Sequence, residues 1–453
     1  MRLFISFSVL LVAVRMTNAE PLRIQDREFL EERKEQTVVA SVRYKAITNE
    51  ITSLRNANPH IRLDDISTFI VRTSAEALLK TADWEPTERI EIIDDDVANR
   101  VSSLLTALQR TSRFGNNIYS FGVLNISLGV PPVKYGTNRT ADETVRRAIE
   151  HLIKERNIPV VMSIGNDGPT PGLVNPWALA DGVFMATATD SAGGELWTGA
   201  SRFRKGEAKG RRIFAAHGYL SIGPWAAGSP KTPAMIEAEK KANLANIVGA
   251  SNEHLYRVDS GTSYAAAIVT KSLCLIHQAT HLLRLQMNAA APLGGVLPPF
   301  IRAYADTGID SNHPAFANRI VGASKVYGGL SMEFEATRRK ALLQLVERGV
   351  EFNVRYDAET ASELLRRSAL PVPNTSFEDA GYGFISNTTV AKALSALTLS
   401  DLVQIYGDMT DERMNDWVAL ASQNNSVAFL PQEISAIANY CSDYDLIFMS
   451  KVN

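Results

Sequence analysis

The sequence predicts an α/β fold, a mostly parallel sheet flanked by helices on both faces, and three observations predict it. Between about Ser67 and Thr398, apolar runs of strand length alternate with amphipathic helices, which is the rhythm of βαβ units. Ile158 to Ile164 is almost continuously apolar, as a strand covered on both faces must be. The chain has 453 residues, 45% apolar and 21% charged, so it can bury a large core and is neither a disordered tail nor a collagen-like or low-complexity chain.

Taken in order, residues 1–19 read as a signal peptide. Met1-Arg2 is a short positive start, Leu3 to Val14 is an apolar run, and Thr17-Asn18-Ala19 offers small residues for cleavage before Glu20. That run is shorter than the roughly 20 residues needed to span a bilayer, so export is expected, with no membrane span once the signal is removed. Residues 20–66 are charged, and helices over Arg27 to Glu35 and Val38 to Leu54 make this a helical N-terminal extension. Residues 67–398 form the main domain. Its clearest unit runs from the strand Val123 to Ser127, through a helix opening at Thr140 with Glu143 three residues on, to strands at Ile158 to Ile164 and Val183 to Thr187. Arg202 to Arg212 reads as a surface loop, helices follow Ser263 and cover Glu333 to Val350, an insertion occupies about 283–352, and residues 399–453 are a helical C-terminal tail.

Charge and cysteine content narrow the function. Lys plus Arg (47) nearly balance Asp plus Glu (49), which removes the electrostatic footprint of a nucleic-acid or anionic-membrane binder. Two cysteines, Cys274 and Cys441, permit one bridge at most, so disulfides are not the main source of stability. No zinc or phosphate-loop pattern occurs, and Asp94-Asp95-Asp96 lacks the alternating spacing of a calcium loop and suits a helix cap, so no metal or other cofactor is expected.

Three segments carry chemistry: Asn125-Ile126-Ser127-Leu128-Gly129, Gly165-Asn166, and Ser260-Gly261-Thr262-Ser263 followed by Tyr264-Ala265-Ala266-Ala267. Singly, each has an ordinary reading as a buried strand, a turn or a capped Ala-rich helix. Together they describe attack on an acyl carbon. Ser263, where a Gly-Thr loop enters a helix, exposes a hydroxyl against the positive end of the helix dipole. Asn166, after an apolar strand, offers an amide donor to a developing oxyanion. Ser127-Leu128-Gly129 leaves a backbone edge on which an extended polypeptide substrate can pair.

In these segments and their order the chain resembles the subtilisin-like serine proteases. Asn125 to Gly129 is similar to that family's substrate-binding strand, Gly165-Asn166 to its oxyanion asparagine, and Gly261-Thr262-Ser263 to its nucleophile motif, with Ala267 where proline is common. Glu378 to Ile385 resembles the Gly-x-Gly strand that closes such a domain, so the likeness covers roughly Glu91 to Leu397. It implies a serine endopeptidase with Ser263 and Asn166 as catalytic residues and Ser127, Leu128 and Gly129 as the substrate-binding strand. The family's His-Gly-Thr-His motif is missing. Of seven histidines, His60 and His217 are the candidates for the base, because in a triad geometry decides and chain order does not. Asp306-Thr307-Gly308-Ile309-Asp310-Ser311-Asn312-His313-Pro314 resembles the family's aspartate motif but follows the nucleophile. Asp306 is then either a triad carboxylate in a rearranged chain, or part of a loop ending a helix over Phe300 to Ala305, with Gly308 as its C-cap.

Two rival functions stay open. A chain of this fold without a base would be a pseudoprotease that binds extended peptides without cutting them. An unrelated exported α/β hydrolase or solute-binding protein could match by chance, although the Gly-x-Ser-x-Gly elbow of the α/β-hydrolases is absent around Ser263.

Overall fold

A computed structural model describes residues 24–44, 68–83, 87–92, parts of 101–108, 121–130, 140–225, 230–288, 301–306, 313–314, 358–398, 400–401, 427–429, parts of 431–438, and 446–451. The described elements are α1 (Ile24–Glu32), β1 (Thr37–Tyr44), β2 (Thr68–Ser74), α2 (Ala75–Ala82), β3 (Thr87–Ile92), β4 (Phe121–Ile126), α3 (Thr140–Arg156), β5 (Val160–Ser163), β6 (Phe184–Thr189), β7 (Arg212–His217), β8 (Ser221–Pro224), α4 (Pro233–Ala242), α5 (Leu244–Val248), β9 (Tyr256–Asp259), α6 (Thr262–Asn288), β10 (Ile301–Asp306), α7 (Ala358–Ser368), α8 (Phe377–Ala380), α9 (Asn387–Ala396) and β11 (Leu446–Lys451).

The main sheet has six strands in the order β11-β10-β4-β5-β6-β7, and every pair is parallel. All residues of β5 and β6 are buried, which is the consequence of helices on both faces and the reason their sequence lacks alternation. The 27-residue α6 lies across β4, β5, β6 and β7, and α7 and α9 pack on its outer side. Ala265 and Ala266 are completely buried at its sheet-facing start, where small side chains let helix and sheet approach closely. Trp177 closes the core beside α3. Its indole N–H donates to the buried Asp142 carboxylate at 2.8 Å, which satisfies the ring's one polar atom.

The N-terminal extension differs from its sequence reading. α1 is helical, but Thr37–Tyr44, part of the expected Val38 to Leu54 helix, is a strand; residues 45–54 lie outside the described residues. Val38, Ala40 and Val42 are buried at every second position, and β-branched residues lose less rotamer freedom on a pleated surface than in a helix. β1 is the centre of an antiparallel sheet ordered β2-β1-β3, so strands from both sides of residue 66 share one sheet, which packs against α3. The tail differs too: its end is β11, the outer neighbour of β10, and not helix throughout. The segment Ile301–Asp306 is likewise a strand, not the end of a helix, and it lies inside the main sheet although its residues fall within the expected insertion.

The signal-peptide residues, Cys441, Asp94 to Asp96 and the Glu333 to Val350 helix lie outside the described residues. No described helix is long and apolar enough to cross a membrane. Ala266→Leu should lower stability by about 1–3 kcal/mol in chemical denaturation, because the added carbons have no space between α6 and the sheet.

Candidate active site

The site is built where one loop crosses the carboxyl ends of three strands. Running from Ser260 into α6, it first meets the residue after β7, where the Gly261 N–H donates to the Gly218 carbonyl at 2.8 Å. A Cβ on Gly218 would lie 2.7 Å from the Gly261 carbonyl oxygen and 3.2 Å from the Ala265 Cβ, so this crossing requires glycine. The loop next meets the end of β5, where the Thr262 hydroxyl oxygen accepts from the Gly165 N–H at 3.3 Å. Ser263 then arrives at β4, and its carbonyl accepts from the Ser127 hydroxyl at 3.4 Å. The outer carboxyl edge of a parallel sheet is where ligands bind in open α/β folds.

Asn166 is exposed, and its orientation is fixed. Its Oδ1 accepts from the Thr262 main-chain N–H and from the Thr262 hydroxyl, both at 2.9 Å. A main-chain N–H can only donate, so the carboxamide oxygen must face Thr262 and Nδ2 must face away as a donor. Nδ2 has no hydrogen-bond partner among the described residues and stands 3.5 Å from where a Cβ on Gly261 would be. The backbone permits this turn because Gly165 has φ +119°, and a side chain there would strike the Ser201 hydroxyl. Asn166 is thus bonded to Thr262, the residue before Ser263, although 96 positions separate the two in the chain. Ser263 lies in the first turn of α6, where the helix dipole favours developing negative charge. Its hydroxyl has no hydrogen-bond partner among the described residues.

A buried polar chain supports the serine from below. The Thr270 hydroxyl shares its proton between the Ala266 carbonyl at 2.8 Å and Asn125 Oδ1 at 3.2 Å, and Asn125 Nδ2 donates to Ser127 Oγ at 2.9 Å, which leaves the Ser127 hydroxyl proton for the Ser263 carbonyl. Ser127, Leu128 and Gly129 are half-buried and continue past the last β4–β5 pair, Ile126 with Met162. The Leu128 carbonyl is already engaged, accepting from Asn175 Nδ2 at 3.0 Å, and that carboxamide lies flat under Gly129, where a Cβ would stand 2.5 Å from it.

Asp306 is the last residue of β10, one position beyond the pair Ala305 with Ile126, so its backbone is level with Ser127 on the neighbouring strand. The displaced aspartate segment thus returns, by sheet order, to the strand beside the proposed substrate-binding edge. His60 lies outside the described residues. His217 ends β7, and its Nε2 donates to the Tyr219 carbonyl at 3.0 Å. His313 is buried, with its Nε2 donating to the Leu255 carbonyl at 2.8 Å. His277 and His281 lie along α6, roughly 20 Å or more from Ser263 at the 1.5 Å rise of a helix. His254 is exposed on the turn before β9, and His151 lies on α3.

Residue-by-residue reading missed the residues that clamp the serine's helix from the other side. The Tyr264 hydroxyl donates to Asp259 Oδ2 at 3.2 Å and accepts from Arg257 at 2.7 Å, while the Arg257 guanidinium lies 4.5 Å from the Trp225 ring centroid. Burial, and then the Asp259 charge, push the Tyr264 phenol up to about 12, so it remains a neutral donor. The one available signal was Asp259 and Arg257 two positions apart on a short strand leading into the Ser263 loop. Thr262 was visible as a motif letter, but its grip on Asn166 was not.

No protein-family model matches the chain, and no curated protein matches it. Among solved structures it is weakly similar to the prenylagaramide maturation protease PagA, with 15% identity over 64% of this chain and 67% of that one and a TM-score of 0.34. The patellamide maturation protease PatA is comparable, at 14% identity over 63% and 68% with a TM-score of 0.31. An S41 psychrophilic protease has 19% identity over 36% of this chain and 45% of its own, with a TM-score of 0.22.

The Tyr264 clamp has a pH signature. An unfolded tyrosine ionises near pH 10, while the folded group holds its proton to about 12, so the unfolded state binds fewer protons across that interval and stability falls as pH rises through it. Melting temperatures of the native chain should therefore drop more steeply between pH 10 and 12 than those of Tyr264→Phe.

Proposed function

We propose that the protein is an exported subtilisin-like serine endopeptidase that hydrolyses peptide bonds through an acyl-enzyme. One observation supports this reading: Thr262, the residue before Ser263 at the start of α6, holds the Asn166 carboxamide by its oxygen and leaves Nδ2 free to donate, while the Ser263 hydroxyl is likewise unengaged among the described residues. An extended polypeptide lies along Ser127 and Gly129 by main-chain hydrogen bonds, Leu128 being part of the same edge with its carbonyl held by Asn175. Ser263 Oγ attacks the scissile carbonyl carbon, and the carbonyl's π electrons move onto oxygen. That oxyanion accepts from Asn166 Nδ2 and faces the positive end of α6. The hydroxyl proton passes to a base and then to the departing amine as the C–N bond breaks. Water repeats the sequence and frees the acid.

His60 is the residue this reading assigns as base. His217 and His313 each spend Nε2 on a main-chain carbonyl, and His277 and His281 are too far along α6. Asp306, level with Ser127, is the carboxylate that orients the imidazolium. Export follows from the signal-like residues 1–19.

A second reading, a peptide-binding pseudoprotease, draws on the same unengaged Ser263 hydroxyl, which no described histidine contacts. Labelling with a serine-directed fluorophosphonate separates the two. The native chain should label and Ser263→Ala should not, whereas a native chain that binds extended peptide without labelling is the pseudoprotease. For the active enzyme, Asn166→Ala should lower turnover about 10²–10³-fold with peptide affinity little changed, because the donor acts on charge that exists only in the transition state.

A further inference from the structure

Main-chain pairing between β4 and β5 ends at Ile126 with Met162. Past that pair, one chain continues as the Ser127 to Gly129 edge and the other runs through Ser163 into the Gly165-Asn166 turn. From there the two are joined through a side chain, that of Asn175. It is only 3% exposed, and its Oδ1 accepts from the Trp177 main-chain N–H at 3.2 Å, so Nδ2 is the end turned to the strands. Nδ2 donates to the Leu128 carbonyl at 3.0 Å on one side and to the Ser163 carbonyl at 3.3 Å on the other. The Asn175 main-chain N–H adds a bond to the Ile164 carbonyl at 2.8 Å, and its nitrogen lies 3.4 Å from where a Cβ on Gly165 would be.

We propose that Asn175 is a positioning residue that sets the spacing between the edge on which an extended substrate lies and the turn that carries the Asn166 donor. Two buried carbonyl oxygens left without a donor cost more than a single bond contributes, and one amide with two N–H groups satisfies both. Because that amide is planar and bonded at both ends, it fixes how far apart the two carbonyls stand. Its anchorage reaches the core, since Trp177, which orients it, is itself held by Asp142. A peptide that touches both the edge and Asn166 registers a change in this spacing, and catalytic geometry tolerates displacements of only about 0.5 Å. A small group that touches Ser263 and Asn166 alone does not register it. The inference rests on the protease reading of Ser263 and Asn166.

Asn175→Ser and Asn175→Asp each keep an oxygen to cap the Trp177 N–H, and neither has an amide N–H to give to the two carbonyls. Thermal melting identifies the folded variants, and the isosteric Asn175→Asp carries the test if Asn175→Ser does not fold. Labelling rates are then measured with two probes, an alkyl fluorophosphonate and the same reactive group carried on an extended peptide. The peptidyl probe should react about tenfold or more slowly with the variants than with the native chain, and the alkyl probe within about threefold of native, in the range of coupling between residues that act through one another. A loss no larger for the peptidyl probe than for the alkyl probe marks general damage to the site and overturns the proposal, as does a native rate with the peptidyl probe. A native chain that labels with neither probe refutes the protease reading, and the spacer's proposed role falls with it.

Discussion

The site depends on the path of the Ser260 to Ser263 loop over the ends of β7, β5 and β4. Each step is held by a hydrogen bond that a neighbouring strand supplies: the Gly218 carbonyl for Gly261, the Gly165 N–H and Asn166 carboxamide for Thr262, and the Ser127 hydroxyl for Ser263. A bond of this kind contributes only about 0.5–1.5 kcal/mol net, yet leaving such groups unpaired costs more, so the loop has few alternative resting places. Thr262 is the pivotal residue. By occupying both acceptor positions of the Asn166 oxygen it removes the freedom of that amide to flip, and a preoriented donor is worth more than one that must reorganise as charge develops.

The polar chain beneath the serine obeys the same logic in a drier setting. Asn125 is nearly inaccessible and sits in a strand where its neighbours Leu124 and Ile126 are fully apolar, a location that penalises an amide unless both ends are bonded. Thr270 and Ser127 supply those bonds, and since Thr270 lies two helical turns along α6 from Ser263, the network pins the helix to β4 at two points. On the opposite flank the Tyr264, Arg257 and Asp259 group fixes the helix to β9. The serine therefore stands on an element held from both sides, which is how a fold converts modest individual bonds into a rigid site.

What the sequence revealed and what it concealed divide along one physical line. The positions of Ser127 and Asn166 just past strands and of Ser263 at a helix start were legible because strand and helix signals fix where those segments begin and end. Two readings failed for a common reason. The Val38 region and the Phe300 to Ala305 stretch are short and partly polar, and their strand character comes from partners distant in sequence: β2 and β3 for the first, β4 and β11 for the second. Local propensity does not record such pairings. The contacts that orient groups already suspected, Thr262 on Asn166 and Asn175 on Leu128, arise only when two loops are brought together, so single residues gave no hint of them.

The position of β10 shows why order along the chain was the wrong guide to the aspartate segment. A parallel strand needs only a free edge, a matching direction and a connection long enough to return to the starting side of the sheet, and none of these depends on whether it precedes or follows its neighbour. β10 meets those conditions beside β4 despite following α6, and β11 in turn covers the edge that β10 would otherwise expose. The register then does the rest. Because Ala305 pairs with Ile126, the backbone of Asp306 comes level with Ser127, whose hydroxyl already touches the Ser263 carbonyl. A one-residue slip would turn every β10 side chain to the opposite face of the sheet, so the burial that fixes β4 also fixes the level at which Asp306 leaves the sheet.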